Sequence, residues 1–233
     1  MTTRAESGRP TARPDLAALY RHTRERLTVL AAGLGPAELA TPVPACPEWT
    51  VHGVLAHLAA ISQDAPAGRL AGPPGPDVTA AQVARFARHD GSEVLAAWSA
   101  SADEFERVIA QTRSWPAVID VATHEQDIRG ALGRPGARDC EAVRRCVRAL
   151  LRGWQPPAPV RVTLDDGEFV TGPDGPDSAG PEIALTSTSF ETFRWRMGRR
   201  SRRQLAAMDW TGDPSPVLDH MVVFGPSPED IVE

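Results

Sequence analysis

Apolar residues recur at helical spacing through the first part of this chain of 233 residues, and that periodicity stops at Pro156-Pro157. Leu16, Leu19, Tyr20, Leu27, Leu30 and Leu34 stand three, four and seven apart, which stripes one face of a helix. Gly33 and Gly35 end that run. Thr50 has the character of an N-cap for a second helix carrying Val51, Val54, Leu55, Leu58 and Ile61. The stretch from Gly68 to Asp77 reads as a loop, and residues 78–89 and 91–112 as two further helices. Residues 116–133 form the next, with Pro116 in its first turn and Gly133 at its end, and residues 139–153 another. Beyond the Pro pair the texture alternates. Val160–Leu164, Glu168–Thr171 and Glu182–Thr186 read as strands, with Asp165-Asp166-Gly167 as a turn, and Ser189–Met197 and Arg203–Met208 as short helices. The fold class is therefore α+β. A helical bundle over residues 14–155 precedes a small α+β domain over 156–233, and residues 1–13 form a disordered tail.

Composition narrows the function. Hydrophobic residues make up 42% of the chain, enough for real cores, and the net charge of -5 offers no global attraction to nucleic acid or anionic membranes. All 25 basic residues are Arg, and with abundant Ala, Gly and Pro this fits a GC-rich, actinobacterial coding bias. Cys46, Cys140 and Cys146 are too few and too oddly numbered for a secreted disulfide framework. The N-terminus has no apolar signal core, and no run reaches the ~18 apolar residues of a membrane helix. The expectation is a cytoplasmic protein with free thiols.

Asp120 and His124 lie four apart on one predicted helix, so their side chains emerge about 40° apart and one turn above each other. One helix can offer two metal ligands in this way. The best third ligand from another helix is His57, which borders the apolar stripe of the second helix. Two imidazoles and a carboxylate suit zinc or another divalent ion, and three protein ligands leave one coordination position open, as in catalytic sites. Asp127 shares their face and is placed to orient a ligand from behind. His22, His52, His89 and His220 have no such partner. Cys46, in the Pro-rich connection of residues 41–47, has no base at a readable spacing and is not expected to act as a nucleophile.

The segments CPEWTVHGVLAHL (Cys46–Leu58) and DVATHEQDIRGALG (Asp120–Gly133), with the later run FRWRMGRRSRRQLAAMDWTGDPSPVL, resemble the mycothiol-dependent maleylpyruvate isomerase family. The resemblance implies a DinB-like metal-binding bundle with His57, Asp120 and His124 as zinc ligands, Asp120 standing where Glu is more usual and Gln126 where an aromatic is. It also implies mycothiol as thiol cosubstrate. The thiol, activated on the metal, would add to an electrophilic alkene and be eliminated after bond rotation, giving cis-trans isomerisation. A small-molecule acid is the expected substrate, with its carboxylate on Arg199, one of an Arg cluster (Arg194, Arg196, Arg199, Arg200, Arg202, Arg203) most of which should be solvated. Nucleic-acid and membrane partners are not expected, and the protein is a monomer or homodimer. The alternatives are mycothiol S-transfer to another substrate, or a metal-binding member without catalysis.

Overall fold

The computed structural model describes residues 13–70, 72–173 and 183–233. The tail expected over residues 1–13 lies, Arg13 apart, outside these, as does much of the loop before Ile183. Four long helices make the bundle: α1 (Leu16–Ala32), α3 (Val51–Asp64), α5 (Gly91–Thr112) and α6 (Trp115–Ala131). Between them stand a one-turn helix α2 (Pro36–Leu39), a two-stranded ribbon of β1 (Pro42–Val43) and β2 (Cys46–Thr50), and α4 (Pro76–Arg85) against α3.

The helix ends follow local chemistry. Asp15 caps α1 by accepting the Ala18 amide at 3.0 Å, and Thr50 caps α3 through the Gly53 amide at 3.2 Å. Asp90 and Glu93 exchange side-chain and backbone bonds at the start of α5, a capping box. Pro116 sits in the first turn of α6, and Gly133 follows that helix with φ +60. Two local expectations fail. Pro76 and Asp77 belong to α4 and not to the preceding loop, because a proline is already shaped for the first helical turn. Residues 41–47, expected as plain connection, pair in part as the β1–β2 ribbon.

The bundle core is built on Tyr20, Leu27, Leu55, Leu58, Trp98 and Ile109, all at most 2% exposed. Trp98 donates its indole N–H to Tyr20 Oη at 2.9 Å, so both polar tips are satisfied inside an apolar core. Helix α6 is buried on nearly every side, with Thr123, His124, Glu125, Gln126 and Asp127 all inaccessible. Such a run of polar residues is stable only if each finds a partner. Glu125 is held by Arg26 and Arg129, and Gln126 donates to the Gly136 carbonyl at 3.3 Å.

Helix α7 (Glu141–Arg152) contacts α6 on one side and α8 (Ser189–Arg196) on the other. A four-stranded sheet follows in the order β4 (Gly167–Thr171), β3 (Val160–Leu164), β5 (Ile183–Thr186), β6 (Asp209–Thr211). The central pair β3–β5 is parallel and the two outer pairs are antiparallel. Val160, Val162 and Leu164 alternate inward as the period-two pattern requires. The short helix α9 (Arg202–Ala206) and a 3-10 turn at Leu218–His220 complete the chain.

The Arg-rich segment departs from expectation. Arg194, Arg196 and Arg200 are buried, and Arg202 and Arg203 are exposed. Burial of three guanidiniums is possible because two face carboxylates, Arg194 on Asp127 and Glu233 and Arg200 on Glu191 and Glu233. Arg196 instead lies over the Trp154 and Trp195 rings, at 5.5 and 5.6 Å, and donates to the Met221 carbonyl. Trp195 is itself fully buried, so this segment presents no aromatic to a nucleic acid.

Candidate metal centre

Helices α3 and α6 bring His57 and His124 to one wall of a cavity of about 580 Å³, with Asp120 beside them. His57 Nε2 is 3.7 Å and His124 Nε2 is 3.5 Å from the same Asp120 oxygen. The two imidazole rings are 5.3 Å apart and nearly perpendicular. Both histidines are almost inaccessible, at 3% and 7%, while the Asp120 side chain keeps 30% of its surface toward the cavity.

The other ring nitrogens are occupied, and that fixes the tautomers. His57 Nδ1 lies 3.0 Å from Gln82 Oε1, on α4. The Gln82 amide is in turn oriented by donating its N–H to Asp64 at 2.9 Å, and Asp64 is clamped by Arg85 and Arg69. A Gln oxygen only accepts, so His57 carries its proton on Nδ1 and presents a lone pair at Nε2. His124 Nδ1 lies 3.0 Å from Asp127 Oδ2, a carboxylate held between Arg194 and Arg199 at 2.8 Å each. His124 Nε2 is therefore also a lone pair in the neutral ring.

Two lone pairs and a carboxylate oxygen so close together repel unless a positive charge lies among them. Burial works against a charged His124, but the Asp120 carboxylate, with Asp127 behind the ring, raises its pKa well above the ordinary histidine value. Burial likewise pushes the Asp120 carboxyl up, and the two histidines outweigh it to hold it below the usual carboxylate range. A proton or a metal ion can supply that charge. Zinc–ligand bonds near 2.0–2.1 Å in a tetrahedron place ligand atoms about 3.3 Å apart, so separations of 3.5 and 3.7 Å accommodate such an ion after small adjustment. The ligand atoms of His57, Asp120 and His124 all lie within 4.8 Å of one another. A second grouping, Cys46, His124 and Asp127, meets the same distance. It suits a metal less, because Asp127 is already neutralised by two guanidiniums, whereas Asp120 has only the two imidazoles as ion-pair partners among the described residues.

The remaining residues fall as follows. Arg199 reaches the cavity wall, but its Nη2 and Nε bond Asp127 at 2.8 and 3.3 Å and its Nη1 bonds the Met197 carbonyl at 2.7 Å. Gly198, with φ +77, makes the turn that carries Arg199 there; a side chain at this position would strike the Gly225 carbonyl. Gln126 faces Gly136 and not the cavity. Cys46 and Trp49, on β2, line the cavity. The Trp49 ring stands 5.0 Å from His57, and Gly53 gives it room, since a Cβ there would lie 3.3 Å from Trp49 Cβ. Cys46 Sγ is 3.6 Å from Asp127 Oδ2 and 3.8 Å from Arg199 Nη2. Gln82, Asp64 and Arg194 also escaped sequence reasoning. The one available signal was Gln82 at the edge of a helix with few apolar residues.

Residues 20–124 match the family model of the mycothiol maleylpyruvate isomerase N-terminal domain. No curated protein matches the chain in sequence. Among solved structures, it resembles a crystal structure of the mycothiol-dependent maleylpyruvate isomerase, with a TM-score of 0.50, 14% identity, and coverage of 80% of this chain and 90% of that one. A crystal structure of a histidine-to-alanine mutant of such an isomerase gives a TM-score of 0.50 at 13% identity, with the same coverage. At these identities the likeness is one of fold. The sequence match and the fold point the same way: residues 20–124 are similar to the mycothiol maleylpyruvate isomerase N-terminal domain.

Proposed function

We propose that the chain is a metal- and thiol-dependent enzyme of the maleylpyruvate isomerase type, working in the cytoplasm with mycothiol as cosubstrate. The observation that carries this reading is the convergence of two imidazole lone pairs and one carboxylate on a cavity large enough for small molecules. His57, Asp120 and His124 would hold zinc or another divalent ion. Bound there, the metal would lower the pKa of a coordinated thiol and provide thiolate at neutral pH.

The protein's own residues set the rest. Gln82 and Asp127 each engage the Nδ1 side of a ring and leave Nε2 facing the cavity, so an entering cation has only to displace the proton that Asp120 favours on His124. Trp49 covers the imidazole pair on the cavity side and limits water there. In the isomerase reaction the thiolate sulfur adds to one alkene carbon while the C=C electron pair moves onto the conjugated carbonyl; the former double bond, now single, rotates, and return of that pair expels the thiolate and leaves the trans alkene. Mycothiol S-transfer to a different acceptor uses the same residues and ends at the adduct.

The test joins metal analysis with thiol consumption. Purified protein should hold close to one zinc per chain, and His57→Ala and His124→Ala should each lose the metal and the mycothiol-dependent reaction while remaining folded. A folded wild-type protein that takes up no divalent metal defeats the reading.

A further inference from the structure

Charge around the cavity bears on what it can accept. Arg199 is the lone guanidinium on its wall among the described residues, and it is matched, as is a protonated His124 by Asp120 and Asp127. Arg194, Arg199 and Arg200 form one buried network with Asp127, Glu191 and Glu233, three guanidiniums against three carboxylates. All three Arg199 nitrogens already donate within the protein. The other charged residues on the cavity wall are both acidic, Asp120 and the exposed Glu48. A divalent ion, the Asp120 carboxylate and a bound thiolate sum to zero. An incoming carboxylate would thus be desolvated with no counter-charge left to meet it, which is strongly unfavourable.

The rest of the wall is apolar and stiff. Trp49, Pro73, Pro74, Pro76, Met197 and Phe224 line it, and Phe224 is 71% exposed. Proline and aromatic surfaces lose little entropy on contact and favour flat, uncharged ligands.

We propose that the electrophile accepted in this cavity is an uncharged, largely apolar molecule, such as an aryl enone, and not a carboxylic acid. This rests on the metal–thiol reading for the chemistry, and on the cavity alone for the preference. Arg199 then acts as a positioning residue that holds Asp127 behind His124, and the substrate carboxylate expected from the sequence has no seat.

Two unreactive molecules of one skeleton separate the possibilities: benzylacetone, a methyl ketone, and hydrocinnamate, its carboxylate counterpart. Their binding is measured by calorimetry on the zinc-free protein and on protein loaded with zinc and mycothiol. The ketone is expected to bind about tenfold or more tightly in both states, since the acid must leave water unpaired. In Phe224→Arg, which places an unmatched cation at the mouth, the gap should fall to about threefold or less as that cation pairs the acid. Equal or tighter binding of hydrocinnamate to the wild type overturns the proposal, as does failure of both molecules to bind. If zinc and mycothiol do not bind but the ketone preference holds, the metal–thiol reading alone fails. If both bind and the acid wins, only the substrate assignment fails.

Discussion

Asp127 stands directly behind His124, its Oδ2 3.0 Å from Nδ1, while the same carboxylate takes Arg194 and Arg199 at 2.8 Å each. One buried acid thus ties the cavity-facing histidine to helix α8 and the turn after it. Its pKa is held well below the ordinary carboxylate value; burial opposes this, and the two guanidiniums and the His124 N–H prevail. A carboxylate behind a ligating imidazole raises the ring's basicity and fixes its direction.

Asp127→Asn should therefore weaken zinc binding by about 10–100-fold without removing a ligand. The amide can still meet the Nδ1–H through its oxygen, but it no longer polarises the ring. Competition titration against a chelator of known affinity measures the change. Unaltered affinity would mean that the contact is only structural.

The opposite histidine offers a parallel case with weaker chemistry. Gln82→Leu deprives His57 Nδ1 of its acceptor, frees the other tautomer, and leaves one side of Asp64 unmatched. Zinc affinity should fall by about tenfold, less than for Asp127→Asn because a neutral amide polarises the ring less than a carboxylate. The order of the two variants in the same titration is the measurement that matters.

Helices α1, α3, α5 and α6 were legible because each carries its own period and its own end signals, such as Thr50 and Pro116. The pair Asp120–His124 was legible because four residues on a helix is a local spacing. His57 could be joined to it only by supposing where α3 faces. What stayed hidden depends on long-range approach. Cys46 meets Asp127 across 81 positions and Arg199 across 153, and nothing near Cys46 announces either. Arg194 and Arg200 read as solvated because an Arg-rich run normally is. Only the fold reveals that Asp127, Glu191 and Glu233 converge on them. The ribbon β1–β2 was hidden because Pro42, Pro44 and Pro47 resemble a plain loop, and the two residues of β1 carry no period.

Arg194 bears on stability more than on chemistry. It is fully buried, with Nε 2.8 Å from Glu233 and Nη2 2.8 Å from Asp127. Arg194→Leu would leave two buried carboxylates each short of a partner, at a cost of about 3 kcal/mol, within the range for breaking one side of a buried pair. Arg199 and Arg200 retain one contact to each acid, so the protein should still fold. Urea unfolding should show a lower midpoint with an unchanged slope; an unshifted midpoint would show that the two acids are adequately held without Arg194.

Acid stability follows from Asp64, which is buried beneath His57 and its Gln82 support. Burial pushes its carboxyl up, but hydrogen bonds from Arg85, Gln82 and Arg69 prevail and lower its pKa from the ordinary value. A group whose folded pKa is depressed binds protons more weakly when folded than unfolded. Its contribution is thus complete above the unfolded value near 3.9 and disappears as pH falls through the folded one. Asp64→Asn should cost about 2 kcal/mol near neutral pH, in the range for hydrogen bonds to a charged group, and Arg69 and Arg85, both partly exposed, keep it from being larger. Below pH ~4 the wild type should lose that advantage, so the two stability curves converge on the acid side. Urea unfolding of both proteins without metal, between pH 3 and 7, tests this with no ligand protonation from a bound ion to confuse it. Curves that stay parallel across that range would show that Asp64 keeps the same proton affinity folded and unfolded, and that its contacts with Arg85 and Arg69 contribute nothing to the fold.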